Sequence, residues 1–525
     1  MTNSIPLKME QLNRHKTGFC LFLIFLCIGF YIIPDYGISV DELEQRKLGI
    51  GTYNYIFHDN RDLFDFRNKT YGVAFQLPLV FLEKLLRLED SRAVFLVRHF
   101  VTHLFFLVAV FYFYLLLKIL FENEWIAVIG SLLLVLHPRL YGHSFFNPKD
   151  IPFMSMMIIS FYYGALSFKA NQLKFTALYG IAVGLLVNIR IMGVILVFGT
   201  LIIYFMDAIT SSDGSRKRTG QKSAVFLFSV IMIAYITWPY LWEHPVRNFM
   251  AAFSEMSQYP WKGSLLFMGQ KMKGTDIPWH YSFVWISITT PLMYLLIIVI
   301  GFFSLFWDAC RKPLSFFFQS WQSRQFFLYG LSSLGSLAAV IVLHSVLYNG
   351  WRQLYFVYPG LVLMGMYGIQ KLFNRFQGYQ KYIGAVLICL SVLPTVHSMI
   401  RIHPLQYVFF NGLVSKADQS LGNNFEMEYW GPSYKMALEK IVLEDHRPVI
   451  AVAAANWAGF FNRYILTKEK RKRLKYLGSS DYADYLIIGG YHRLQTLQEE
   501  YTPLAKEWYS LDLYNSRILS IYKLR

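Results

Sequence analysis

The sequence predicts a polytopic α-helical membrane protein of about eleven transmembrane helices, followed by a small C-terminal α/β domain. Three observations predict it. The 525 residues are 55% hydrophobic and 18% aromatic, with a mean hydropathy of +0.35, too apolar for a water-soluble globule. Apolar runs long enough to cross about 30 Å of hydrocarbon recur as far as residue 399. Beyond residue 400 these runs stop, and shorter segments of near-normal polarity replace them.

The net charge of +17 would suggest nucleic acid in a soluble chain, but here it is dispersed over short loops. That is the topological bias of membrane proteins, so nucleic-acid binding is not expected. The four cysteines (Cys20, Cys27, Cys310, Cys389) lie in or beside apolar runs without a CxxC or a metal-like spacing. Lys8, Arg14 and Lys16 precede the first run, and no small-x-small site comes before Pro34-Asp35, which predicts an uncleaved first span. No repeat of about 20–50 residues appears.

The spans fall near 18–33, 97–118, 125–137, 151–168, 174–188, 192–207, 223–240, 283–303, 326–347, 354–370 and 382–399. The block 174–207 is too long for one crossing, and Asn188-Ile189-Arg190 is read as a tight turn within it. With the N-terminus inside, one set of loops collects Lys169, Lys174, Arg216, Lys217, Arg218, Lys222, Arg311, Lys312, Arg324, Lys371, Arg375 and Lys381 with few acids. Acids concentrate in the opposite loops, so the positive-inside rule fixes the orientation. The outer loops are then 34–96, 137–150, 240–282 and 348–353. In the first, Asp41 to Tyr55 is expected to form a surface helix with Leu43, Leu48 and Ile50 on its apolar side.

Residues 1–400 thus read as a membrane module and 401–525 as a soluble domain on the non-cytoplasmic side. In the latter, RPVIAVAAA is a strand, NWAGFFNRYIL a helix, the end of DYADYLIIGGY a strand and SRILSIYKL a closing strand. FEMEYWGPSY is expected to be a helix packing this domain on the membrane.

The orientation brings Asp35, Asp41, Glu42, Arg139, His143, Lys149, Asp150, Arg190, His244, His280 and Arg352 to the outer ends of spans. Ionisable groups at that depth are costly unless paired or wetted, so together they mark a hydrated polar cavity. Asp41-Glu42 offers a general base and a neighbour that tunes it. The alternative for this pair is a solvated first helical turn, where acids suit the dipole. Asp150, in NPKDIPF, is either the N-cap of the fourth span or a second carboxylate, accompanied by Lys149 and Arg139. Arg352 sits in a tight turn between Trp351 and Tyr355, where a planar cation calls for an anion such as phosphate. Arg190 makes the same argument, against a snorkelling alternative. His280 in DIPWHY and His244 in WEHP are candidate ligands for a divalent metal, though they lack ligand spacing.

These residues resemble those of the GT-C glycosyltransferases that use polyprenyl-phosphate sugars. Within that superfamily the chain is similar to the bacterial branch related to protein O-mannosyltransferases and lipid A aminoarabinose transferases. The strings that carry the resemblance are HPRLYGHSFFNPKDIPF, NGWRQLYFVYP, and HPLQYVFFNG followed by FEMEYWGPSYKMALEKI. The resemblance implies a GT-C-like fold in a bacterial inner membrane. It makes Asp41 the acid that deprotonates the acceptor, Glu42 its acidic partner and Asp150 the carboxylate of the second outer loop. The donor phosphate would be held by Arg352, Arg190, Lys149 and Arg139. Two departures stand out: the loop Tyr240 to Ser282 is too short for a β-trefoil insert, and Asp41-Glu42 is followed by Leu43-Glu44-Gln45 rather than an aromatic and a histidine.

The function these features imply is an inverting transfer of one sugar from a polyprenyl-phosphate donor to a hydroxyl of a glycan, lipid or protein, at the non-cytoplasmic face. No phosphate-binding Gly-rich loop is found, as a lipid-linked donor needs none. The competing class is a transporter or flippase of a lipid-linked or anionic substrate, which predicts charges at mid-membrane and a repeated half.

Overall fold

The computed structural model describes residues 15–525 apart from 171, 211, 258, 260, 262, 312–317, 319, 377, 416–420 and 490–505. Lys8 and Arg14, used above for the first span, and Lys312, used for orientation, lie outside the described residues. Every apolar run read as a span overlaps a helix. Among the described residues, eight helices are long and apolar enough to cross a membrane, or nine if one bent pair is a single span. That pair, Glu124–Val135 and Pro138–Phe146, turns through 62°. Leu173–Ile189 is a shorter apolar helix.

Several boundaries differ from the expected ones. The run 283–303 is not one helix: Tyr281–Thr289 ends before Pro291, and Leu292–Arg311 begins after it. A proline removes a ladder donor and pushes the residue before it out of helical geometry, and Thr290 is extended. The string HPRLYGHSFFNP is not a loop but the helix Pro138–Phe146, started by a proline at its first position and buried at every residue. Arg216, Lys217, Arg218 and Lys222 belong to the first turns of the helix Asp213–Thr237 rather than to a loop.

The break at Asn188-Ile189-Arg190 is present. The helix ends at Ile189, Arg190 is extended, and a new helix starts at Val194. Asn188 ties this break to the segment between the first two long helices: its Oδ1 accepts the N–H groups of Val73 (2.8 Å) and Ala74 (3.1 Å), and its Nδ2 donates to Thr237 Oγ1 at 2.7 Å.

The surface helix expected from Asp41 to Tyr55 runs from Val40 to His58. Its inward face differs from the expected one. Glu42, Gln45, Leu48, Gly49 and Thr52 are buried, so a mostly polar stripe packs toward Gln76–Leu85 and Ser91–Phe121. The loop 240–282 holds a helix, Pro245–Ser257, and an antiparallel hairpin of β1 (Ser264–Phe267) and β2 (Gln270–Lys273).

In the C-terminal region a five-stranded sheet runs in the order β4-β3-β5-β7-β6, with β3 Ile450–Ala454, β4 Leu474–Tyr476, β5 Tyr485–Gly489, β6 Lys506–Leu513 and β7 Ser516–Lys523. β3 pairs in parallel with β4 and β5, while β7 lies antiparallel to β5 and β6. The strands and the helix expected from sequence are all present. FEMEYWGPSY, however, is not a helix. Residues 426–429 carry no regular structure, and the helix begins only at Ser433.

This non-helical segment threads against the membrane helices. Val40 N–H donates to Trp430 O at 3.1 Å, and Asn462 brackets Ile38 through bonds to its N–H (2.8 Å) and carbonyl (3.0 Å). One continuous apolar core therefore runs from the long helices into the sheet.

Candidate active site

Asp150 is the first residue of the helix Asp150–Ala170, and it does not cap that helix. Asn147 does so, accepting the N–H groups of Lys149 (3.2 Å) and Asp150 (2.8 Å) on Oδ1. Its Nδ2 donates to Asp150 Oδ2 at 3.1 Å. This arrangement leaves the Asp150 carboxylate free to bridge two arginines. Arg190 binds one oxygen, and Arg352 Nη1 binds the other at 2.9 Å. All three side chains are at most 4% exposed. A carboxylate so deep is tolerable only with such partners.

Asp41 stands beside this triad in a different setting. Its Oδ2 lies 3.5 Å from Arg352 Nη1 and 3.5 Å from Lys149 Nζ, and its side chain is 24% exposed. Five charged groups thus meet, three cations against two carboxylates, which leaves a net charge of +1. They come from four parts of the chain: the second residue of the surface helix, the Lys149-Asp150 corner, the break after Ile189 and the turn before Tyr358.

Arg352 is further held between rings. Its guanidinium lies 5.1 Å from the Tyr348 ring and 4.5 Å from that of Trp430, distances suited to cation–π attraction. The turn that delivers it passes through Asn349 and Gly350, both at positive φ, a region that glycine enters without steric cost.

The remaining candidates are placed elsewhere. Glu42 turns away from Asp41, since successive helical residues point about 100° apart. Its carboxylate accepts Ser39 N–H at 2.7 Å and contacts His99 Nε2 at 2.8 Å. Arg139 is fully buried, donates from Nε to Phe409 O at 3.0 Å and stacks on Trp285 and Phe410. It makes no ion pair with Asp41 or Asp150. His280 packs near Phe267 and Trp279, while His244 offers its carbonyl to Asn248 N–H. Among the described residues no group of three or more His, Cys, Asp or Glu could hold a metal ion, so His280 and His244 do not form the expected metal set. Asp41 and Asp150 face cations, which does not suit a divalent metal either.

A cavity of about 260 Å³ opens beside the cluster. Arg190, Tyr71, Tyr348 and Gln353 contribute to its wall, with Ile195, Phe253, Val340 and Leu343 supplying apolar surface. A larger groove of about 880 Å³, between Leu292, Pro394 and the turn at Leu513-Tyr514, shares no lining residue with the cluster.

Residues 87–242 match the family model described as dolichyl-phosphate-mannose-protein mannosyltransferase. Arg139, Lys149, Asp150 and Arg190 lie inside that match; Asp41 and Arg352 lie outside it. Among solved structures, the chain is similar to ArnT from Cupriavidus metallidurans bound to undecaprenyl phosphate. The TM-score is 0.50 at 12% identity, over 96% of this chain and 97% of that one. The chain has the GT-C fold. A second GT-C structure, the apo oligosaccharyltransferase of Archaeoglobus fulgidus, gives a TM-score of 0.50 at 10% identity, over 91% of this chain and 70% of that one. The same archaeal enzyme in complex with Zn and sulfate gives 0.50 at 11% identity, over 91% and 68%. No curated protein matches this chain in sequence.

Sequence reasoning missed Asn147, Tyr348, Gln353 and Trp430. An Asn-Pro just before a helical run is a capping signal that could have identified Asn147. Nothing local marks Trp430, which lies 78 residues beyond Arg352 and meets it only through the tertiary fold.

Proposed function

We propose that the protein transfers one sugar from a polyprenyl-phosphate donor to a hydroxyl acceptor at the non-cytoplasmic membrane face, with inversion at the anomeric carbon. The observation that carries this reading is the cluster of three cations and two carboxylates next to a largely apolar cavity. A lipid-linked donor needs that combination: cations for the phosphate, and an apolar side of the cavity, at Ile195, Phe253, Val340 and Leu343, where only the start of the tail would lie. The ArnT structure of the same fold is bound to undecaprenyl phosphate, which supports the lipid-linked donor.

The two carboxylates have separate duties. Asp150 is saturated by Arg190, Arg352 and Asn147 and serves to fix both guanidinium groups. Asp41, partly exposed and more loosely held, is the general base. It takes the acceptor proton as the hydroxyl oxygen bonds to the anomeric carbon, and the bond from that carbon to the phosphate oxygen breaks. The leaving phosphate gains charge as it departs, and Arg352, Arg190 and Lys149 stabilise it there.

The charged residues sit at helix ends rather than mid-helix: Asp41 is second in its helix, Asp150 first, and Arg190 directly follows one. That placement favours transfer at one face over a transport path. The test is Asp41→Asn in purified protein supplied with a polyprenyl-phosphate sugar. Transfer should fall by about 10²–10⁴-fold while undecaprenyl phosphate binding persists. Near-normal transfer by this variant would remove Asp41 as the base.

A further inference from the structure

We infer that Gln353, with the tyrosines around it, recognises the hydroxyls of a neutral donor sugar; this rests on the lipid-donor reading above. Gln353 follows Arg352 in the short helical turn Arg352–Val357, is 7% exposed and lines the 260 Å³ cavity together with Arg190. Neither its Nε2 nor its Oε1 has a hydrogen-bond partner among the described residues. Leaving such groups buried and unpaired costs about 1–3 kcal/mol each, so the position makes sense where a ligand completes them.

The chemistry of that ligand follows from the amide. A phosphate oxygen only accepts; it would satisfy Nε2 and leave the carbonyl oxygen facing an anion. A hydroxyl both donates and accepts, so adjacent sugar hydroxyls satisfy both atoms. The neighbouring guanidinium groups complete the division. Arg190 Nε and Arg352 Nε are also buried and unpartnered, and donors of that kind suit a phosphate. The cations therefore take the phosphate and the amide takes the sugar.

The wall beside Gln353 fits the same ligand. Tyr71, Tyr259 and Tyr348 line the cavity, and Trp261 stacks on Tyr348 with ring centroids 4.4 Å apart and planes 12° from parallel, which props that ring in place. Aromatic surface with a few aimed polar groups is the usual make-up of a small-molecule site. Among the described residues that line this cavity there is no Asp or Glu, and the nearby Asp41 already faces Lys149 and Arg352 at 3.5 Å, so no free carboxylate is left to pair with an amino sugar. The ligand class is accordingly a neutral, polyhydroxylated pyranose.

The experiment measures binding of full-length protein in nanodiscs to undecaprenyl phosphate and to its glucose, mannose and 4-amino-4-deoxyarabinose derivatives. Wild type should bind at least one neutral-sugar lipid about tenfold or more tightly than bare undecaprenyl phosphate. Gln353→Met, which keeps the volume and deletes the amide, should erase that margin and leave bare-lipid affinity within about twofold. Gln353→Asn, which withdraws the amide by one methylene, should do the same, and serves if the first variant fails to fold. Variants that keep the margin, an equal loss for bare and sugar-bearing lipid, absence of the margin in wild type, or preference for the amino sugar would each overturn the assignment while leaving the lipid-donor reading intact. Failure of wild type to bind any of the four lipids would overturn both.

Discussion

Asp41 and Asp150 are the same functional group made into different tools by their surroundings. Asp150 is enclosed by two guanidinium groups and an amide, so it has no freedom to take up a proton; Asp41 keeps a quarter of its surface and two longer contacts. The sequence identified both residues and left Asp150 open between a helix cap and a second carboxylate; in the structure Asn147 makes the capping bonds. A cap is a local event, yet Asn147 and Asp150 are close enough in sequence that only the fold decides between them. A third carboxylate tells the opposite story. Glu426 is buried in the non-helical segment that leads to Trp430, and burial pushes it from 4.5 up to about 8, with the Asn349 backbone N–H and the Arg352 charge pulling the other way. Its folded value lies above the unfolded one, so the native state holds the extra proton. Stability is therefore fully present below about pH 4.5 and lost as pH rises through about 8. Glu426→Gln should flatten that decline: between about pH 6 and pH 9 the variant should lose less melting temperature than wild type in the same detergent. Glu428, pushed up to about 7 by burial, would still contribute a smaller slope.

At the scale of elements, helices were legible from apolar length, and their interruptions from Asn188-Ile189-Arg190 and from Pro291 only in part. The first break lies between two long apolar runs and shows in the sequence, whereas Pro291 lies inside one run whose apolar length hides it. The helix Pro138–Phe146 reads as a loop in the sequence because it is short and of mixed polarity, and its burial comes from neighbours such as Tyr407 and Trp430. Helix packing is also decided by residues with no signal of their own. Leu292–Arg311 and Tyr358–Arg375 approach so closely that a Cβ on Gly301 would stand 2.0 Å from Met364 O. Small residues allow this contact inside a membrane, where apolar burial alone drives little association. Gly301→Leu should force the two helices apart and lower the melting temperature measurably, while Ile300→Leu, an exposed neighbour, should not.

For the whole molecule, the C-terminal region contributes to the site rather than merely following the membrane helices. Trp430 covers Arg352, and the segment around it is tied to Val40 directly and to Ile38 through Asn462, just before Asp41. A buried cation–π contact is worth about 2 kcal/mol, so Trp430→Ala should weaken undecaprenyl phosphate binding by roughly tenfold or more, measured in nanodiscs. Unchanged affinity would mean that Asp150, Asp41 and the Tyr348 ring hold Arg352 without help from Trp430. The sequence by itself determined that the chain is built from apolar helices with a terminal sheet, and which charged residues deserved scrutiny, because hydrophobic length and stranded charge are properties of short segments. Only the tertiary structure decided which charges meet. It joined Asp41, Lys149, Asp150, Arg190 and Arg352 and sent Glu42, Arg139, His244 and His280 elsewhere, because side-chain direction and contacts between distant segments depend on how the helices pack.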